Sequence, residues 1–300
     1  MSNRLTTFTF EHEVAHGAIV RLEQGVGAML DHRDYAPAVR ALLAEALAAM
    51  PLLATHLRFE GRINLQFQND HAPGAPEGRR PGIGLLVAQV DHQLRVRAMA
   101  KSEAHASGDF AHLLHGGTLA LMIEPSDGVR SSTQALVPIE GAKLSEALEG
   151  YFAQSEQLPT LVRLAVRGEK VAGFLLQRLP PESAKGTEDD WQTLVALSAT
   201  LTDDELLDTE VDVLLRRLFA DTPGVRRFEP RPVRIECNCS RTGISRLLLS
   251  LGREEVDSIL AEQSVVEVTC EFCGRGHRFT PEDVAKLFGP VPAPPSGTVH

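Results

Sequence analysis

The chain has 300 residues, a formal net charge of -10 and a hydrophobic fraction of 43%, with only 5% aromatics. That length fits two or three domains, and aliphatic side chains must fill their cores. The negative charge argues against nucleic acid as the main partner, because a nucleic-acid binder needs a basic surface to displace counterions.

The N-terminal stretch MSNRLTTFTFEHE lacks the basic-then-apolar order of a secretory signal, and a cytoplasmic protein is expected. Phe8 to Leu22 contains short strand-like pieces with a break near Gly17. Ala36 to Leu57 predicts a helix: Ala38, Leu42, Leu43, Ala46, Leu47, Met50 and Leu53 recur at helical spacing, and Pro51 is placed to end or kink it. Its most apolar part, Leu42 to Leu57, carries Glu45 and His56, so it reads as a core helix and not as a membrane span. Ile63, Leu65 and Phe67 alternate with Asn64, Gln66 and Gln68, as a half-buried strand requires. Asn69 to Gly82 is a Gly/Pro-rich loop. Gly84 to Val90 and Leu94 to Met99 predict a strand pair joined through Asp91-His92-Gln93. Thr118 to Ile123 and Ala135 to Ile139 are further strands, and Lys143 to Gln154 is helical. Leu161 to Val166 and Val171 to Leu176 pair through Arg167-Gly168-Glu169-Lys170. Strands dominate and few connections suit a right-handed crossover. Residues 1–180 are therefore expected to form an α+β domain, a largely antiparallel sheet with packed helices.

Composition shifts at Pro180-Pro181. Residues 182–222 hold eleven acidic residues against three basic ones, Lys185, Arg216 and Arg217. One helix is expected from about Asp190 to Ala199. Another starts at Thr202, where Thr-Asp-Asp-Glu has the spacing of a capping box, and runs on through Leu206 to Phe219. Asp203 and Asp204 suit the positive end of that helix dipole. Helices this short cannot bury an apolar face within themselves, so their stability depends on a neighbour. Residues 181–230 thus read as an acidic helical linker, whose face of Leu207, Val211, Leu214, Leu215 and Leu218 must cover something on residues 1–180.

Residues 231–289 form a small cysteine domain, with helices over Gly243 to Leu251 and Arg253 to Gln263 and a strand over Val265 to Thr269. The Pro/Gly-rich tail, 290–300, is expected to be disordered. The chain's four cysteines follow the pattern Cys237-x-Cys239, 30 residues, Cys270-x-x-Cys273, then Gly274. Such clustering does not resemble the spread bridges of a secreted disulfide framework. Zinc favours four soft ligands in a tetrahedron, and the spacing predicts one zinc ion per chain. On spacing alone three readings stand, in this order: a structural zinc staple, a redox switch, and free or catalytic thiols. Four cysteines leave no open metal position, which disfavours a catalytic zinc. No βαβ pattern surrounds Cys270 and Cys273, which disfavours a thioredoxin-like site. His277 reads as a solvated neighbour of the cysteines, and His105, His112 and His115 as helix-surface residues. Gly25-Val26-Gly27 and Gly116-Gly117 read as turns, outside any phosphate-binding frame. Arg226, Arg227, Arg231, Arg234, Arg241 and Arg246 surround the first cysteine pair and give an alternative, a zinc-stapled nucleic-acid-binding protein.

The run FEPRPVRIECNCSRTGISRLLLSLG, followed by EVTCEFCGRGHRF, resembles the C-terminal zinc region of the 33-kDa heat-shock protein family, the redox-regulated holdase chaperones of bacteria. The likeness extends to YFAQSEQLPT, LLRRLF, HLRFEGRINLQFQ and VDHQLRVRAMAK, and covers about Phe8 to Phe288. The loop at Ala72 to Gly82 looks longer than usual for that family. The resemblance implies a binding protein and not an enzyme. In the reduced state Cys237, Cys239, Cys270 and Cys273 would hold one Zn2+ and the chaperone would be inactive. Hypochlorous acid, or peroxide with heat, would form disulfides Cys237–Cys239 and Cys270–Cys273 and release zinc. The linker would then unfold and expose apolar surface. The protein would dimerise and hold unfolding client proteins without ATP, releasing them on reduction to an ATP-dependent foldase chaperone. Elementary energetics permits such a switch. A structural zinc site supplies roughly 10–16 kcal/mol of apparent folding free energy. A disulfide closing a loop of three or four residues supplies roughly 2 kcal/mol before strain.

Overall fold

The computed structural model describes residues 3–11, 14–56, 60–69, 82–114, 116–126, 131–180, 182–183, 185–222 and 224–289. Most of the expected Gly/Pro-rich loop, His115 and the tail 290–300 lie outside the described residues. The chain divides into two compact units, Met1–Glu236 and Cys237–His300.

In the first unit β1 (Arg4–Thr9) pairs antiparallel with β2 (Ala15–Leu22). The chain breaks between Thr9 and Ala15, not near Gly17. Gly17 lies inside β2 opposite Phe8, and a Cβ there would come within 2.1 Å of the Phe8 ring. The glycine is kept for a close ring approach and does not interrupt the strand. A short α1 (Val26–Leu30) leads to α2 (Pro37–Leu53), which starts on a proline and ends in a 3-10 turn over Ala54–His56. Pro51 falls in the last turn and the helix runs on past it to Leu53. α2 is buried on nearly every side, which fits a helix that is apolar all round.

β3 (Gly61–Gln68), β4 (Ile83–Asp91) and β5 (Arg95–Ser102) follow; after α3 (Phe110–Leu113) come β6 (Thr118–Pro125) and β7 (Thr133–Pro138). They pair antiparallel in the order β5-β4-β3-β6-β7. α4 (Leu144–Tyr151) continues into a π-turn over Phe152–Glu156. β8 (Thr160–Arg167) and β9 (Lys170–Arg178) then form a tight hairpin that joins β2, giving a first sheet in the order β1-β2-β9-β8. α2 packs between the two sheets.

Three helices follow, α5 (Glu188–Ala199), α6 (Asp203–Asp208) and α7 (Val211–Leu218). α5 begins earlier than expected because Thr187 and Asp190 form a capping box. The expected box of Thr202 with Glu205 starts α6. The helix expected to run on to Phe219 is instead two. Thr209 is extended, and Glu210 leaves the helical region and caps the next helix, its side chain accepting from Val213 N at 3.1 Å. The unit closes with β10 (Arg226–Arg227) and β11 (Arg231–Pro232) on β1, and β12 (Arg234–Ile235) on β5. The β12–β5 pair is the one parallel pairing among the described residues. Mixed helices and largely antiparallel sheets make the fold α+β, as expected.

The second unit holds α8 (Arg241–Leu251), α9 (Arg253–Gln263), a hairpin of β13 (Val266–Thr269) and β14 (Gly276–Phe279), and α10 (Pro281–Phe288). β14 and α10 went unforeseen, although Thr280, Pro281 and Asp283 spell a capping box with proline at the first helical position. Its small core is Leu248, Val256, Val266, Phe279 and Val284. His277 is buried, not solvated, because the two-residue strand period places it on the same side of β14 as Phe279.

Candidate metal centre and the covered sheet face

Two chain segments bring the cysteines together. Cys270 and Cys273 lie on the turn between β13 and β14. Gly274 N donates to the Cys270 carbonyl at 2.8 Å, and Cys270 N donates to the Arg275 carbonyl at 2.9 Å. Gly274 has φ 68°, a left-handed conformation that suits glycine. Cys237 and Cys239 lie on the extended segment before α8, whose N-cap, Ser240, accepts from Gly243 N at 3.1 Å. All four sulfurs lie within 4.8 Å of one another. The Cys237–Cys270 and Cys239–Cys273 Sγ pairs are each 3.6 Å apart. A tetrahedron of thiolates about 2.3 Å from a central zinc has edges of about 3.8 Å, so the donor set fits that ion in size and in softness. All four cysteines are free thiols, and Cys270 is buried. Burial pushes the Cys239 and Cys270 thiols up from their ordinary values, and the neighbouring thiols push the same way. A cation would offset both effects, since metal binding exchanges thiol protons for a positive ion. Neither His277 nor the described members of the upstream histidine group, His105 and His112, joins the cluster.

The predicted linker residues also come together, on the first sheet. Leu207, Leu214, Leu215 and Leu218 are buried and Val211 is partly buried. With Trp191, Leu194, Leu206 and Phe219 they pack on Phe8, Phe10, Ile19, Ala165, Phe174 and Leu176. Phe10 meets Phe219 edge-on, with centroids 5.0 Å apart, and Phe8 at 5.8 Å. Gly173 of β9 faces the opposite way, towards Leu52 of α2. The two faces of one sheet are thus covered by different helices.

A second set of contacts, which local sequence patterns do not reveal, holds α5–α7 to the strands. Arg21 Nε donates to the Leu206 carbonyl at 3.0 Å, and its Nη2 donates to the carbonyls of Glu205 and Thr209. Burial lowers the Arg21 guanidinium from its ordinary value, with nearby carboxylates opposing. Its charge sits at the C-terminal end of α6, where the helix dipole favours a cation. Arg167 pairs with Asp204 at 2.9 Å and with Asp208, and Lys170 pairs with Asp208 at 3.1 Å. Arg178 pairs with Glu188, and Arg227 with Asp212 at 2.6 Å. The acidic excess of 182–222 is therefore answered from outside that segment. The signal was present as the Arg167 to Lys170 turn, but its partners lie 37 or more residues away.

An α+β unit whose first sheet is covered by three short helices, followed in the chain by a small unit carrying four clustered thiols, defines a two-unit protein with a candidate metal site. The chain belongs to the Hsp33 protein family, whose model matches residues 3–280. It is 38% identical over 304 residues to the 33 kDa chaperonin of Nitrosococcus oceani, covering 100% of both chains. It is 34% identical over 290 residues to the 33 kDa chaperonin of Methylobacillus flagellatus, covering 96% of this chain and 95% of that one. The crystal structure of the 33 kDa chaperonin from Thermotoga maritima shares the fold. Its TM-score is 0.76 at 20% identity, over 95% of this chain and 97% of that one.

Proposed function

We propose that this protein is a redox-regulated, ATP-independent chaperone whose client surface is the phenylalanine-rich face of the first sheet. The observation that carries the reading is that this face is closed by three short helices, α5–α7. Exposed, it would be a contiguous apolar patch suited to unfolding chains. Flexible aliphatic and aromatic surface with little fixed polar geometry favours promiscuous binding.

The cysteines supply the switch. Zinc held by Cys237, Cys239, Cys270 and Cys273 would contribute most of the folding free energy of the small unit, whose apolar core alone is slight. Oxidation of each pair follows 2 RSH + H2O2 → RSSR + 2 H2O: two thiols lose two electrons and two protons, and peroxide becomes water. We assign the pairs as Cys237–Cys239 and Cys270–Cys273. Each assigned pair is adjacent in the chain, so it stays adjacent as the two arms part and the metal leaves. Unfolding of the small unit would reach the linker along the chain. Cys237 follows β12 directly, β11 and β10 precede β12, and Arg227 of β10 holds Asp212 of α7. Release of α5–α7 (within 181–230) uncovers the face on 1–180 and permits a homodimer. Clients pass to ATP-dependent foldases on reduction, in the cytoplasm under oxidative stress. The nucleic-acid alternative loses support because Arg227 and Arg241 are engaged by Asp212 and Asp283.

Light scattering of a thermally unfolding client tests this reading. Peroxide-treated protein should suppress aggregation and the reduced, zinc-loaded protein should not. Equal suppression by both forms would refute the switch.

A further inference from the structure

The arm that carries Cys237 and Cys239 continues into Ser240 and Arg241, the first residue of α8. The Arg241 guanidinium reaches across to the segment that leaves the other cysteine arm. Nη1 donates to the Arg278 carbonyl at 2.6 Å, and Nη2 pairs with Asp283 at 2.8 Å. Its Cζ lies 4.2 Å from the centroid of the Phe279 ring. Arg278 and Phe279 belong to β14, which follows the Cys270–Cys273 turn. Asp283 is fixed in turn, because its carboxylate accepts from Thr280 N at 2.9 Å in the capping box of α10. Phe279 is a core residue of the unit. One side chain on the first arm therefore grips a backbone carbonyl, a carboxylate and a core ring on the second.

We propose that Arg241 is a positioning residue: it holds the two cysteine arms together alongside the metal, and so sets how readily metal leaves and how fast the thiols react. The consequence for switching rests on the redox-switch reading; the tether itself does not. An exposed ion pair alone contributes little. Here the pair is joined by a charge-assisted bond to a carbonyl and by a cation over a ring, which only a planar, forked guanidinium can satisfy together. A lysine keeps a charge for Asp283 but not the fork. Each contact is lost when the arms part, so the tether opposes opening.

The test uses full-length Arg241→Ala and Arg241→Lys with two readouts. The first is the rate of zinc transfer from reduced protein to an excess of chromophoric chelator. The second is the rate of Cys270 alkylation by iodoacetamide in reduced protein as purified, read by mass spectrometry. Losing a charge-assisted bond together with a cation–π contact should speed both processes about tenfold in Arg241→Ala. Arg241→Lys should fall between it and the native protein. Backbone amide hydrogen exchange across residues 241–288 serves as the folding control. Native rates in both readouts would overturn the proposal. If Arg241→Ala does not fold, native rates in Arg241→Lys overturn it equally. Native protein that binds no zinc would sink the redox-switch reading, while the alkylation rates would still decide the tether.

Discussion

α2 and the trio α5–α7 cover opposite faces of one sheet, and they do so by different means. α2 spans 17 residues and is buried on nearly every side between two sheets. α5, α6 and α7 span 12, 6 and 8 residues, each with a single apolar face. Helices this short are marginal in water alone. Their N-termini are capped by Thr187, Thr202 and Glu210, and their acids are paired with Arg167, Lys170, Arg178 and Arg227. Two covers of different construction thus share a sheet. The second is built from short capped pieces and surface ion pairs, whose attachment is sensitive to solvent conditions.

The largest effect expected is at the cysteines. Cys270→Ser should abolish tight zinc binding and unfold residues 237–288, since the metal's contribution is roughly 10–16 kcal/mol. Metal analysis and far-ultraviolet circular dichroism check this, and full zinc content in the variant would break the account. Next comes Leu214→Asp. Leu214 is fully buried against the phenylalanine face. An unpaired charge there should cost several kcal/mol, enough to detach α7 while α2 stays in place. That variant should suppress client aggregation while still reduced and zinc-loaded.

Smaller effects separate the two covers by pH. Burial pushes the Glu45 carboxyl of α2 up from 4.5 to about 7, with Lys143 opposing and Asp203 adding. Because the folded value is raised, the protonated group's contribution is full below the ordinary carboxylate range and is lost as pH rises towards 7. The cost above that pH is on the order of 3 kcal/mol. Glu45→Gln should remove it, raising the urea midpoint at pH 8 more than at pH 5. The linker acids have the opposite sign. Hydrogen bonds from Arg167 hold Asp208 below its ordinary value, and those from Gln192 and Arg178 do the same for Glu188. Their contribution is full above the ordinary carboxylate range and is lost as pH falls through the depressed values. Trp191, the sole tryptophan, is buried in α5 and should report this by a red shift in acid ahead of global unfolding. A simultaneous transition would erase the distinction between the covers.

Residue type and short-range spacing made much of this legible. Thiols two and three apart in sequence can converge on one ion whatever surrounds them, so the cysteine cluster could be read directly. The leucines of α6 and α7 reveal their apolar face by period alone. The break at Thr209-Glu210 hides because the apolar period continues across it, and only Glu210's capping geometry exposes it. Gly17 misleads because its role depends on Phe8, on a neighbouring strand. The grips of Arg21, Arg167 and Arg241 are out of reach for the same reason: each partner is set by tertiary packing, from 37 to 188 residues away.

Hydrogen exchange of backbone amides in the full-length protein, before and after peroxide, tests the central claim most directly. Oxidation should strip protection from residues 188–218 and leave it in residues 37–53. Protection retained across α5–α7 in oxidised protein that suppresses client aggregation would contradict the account, and would place the client surface elsewhere.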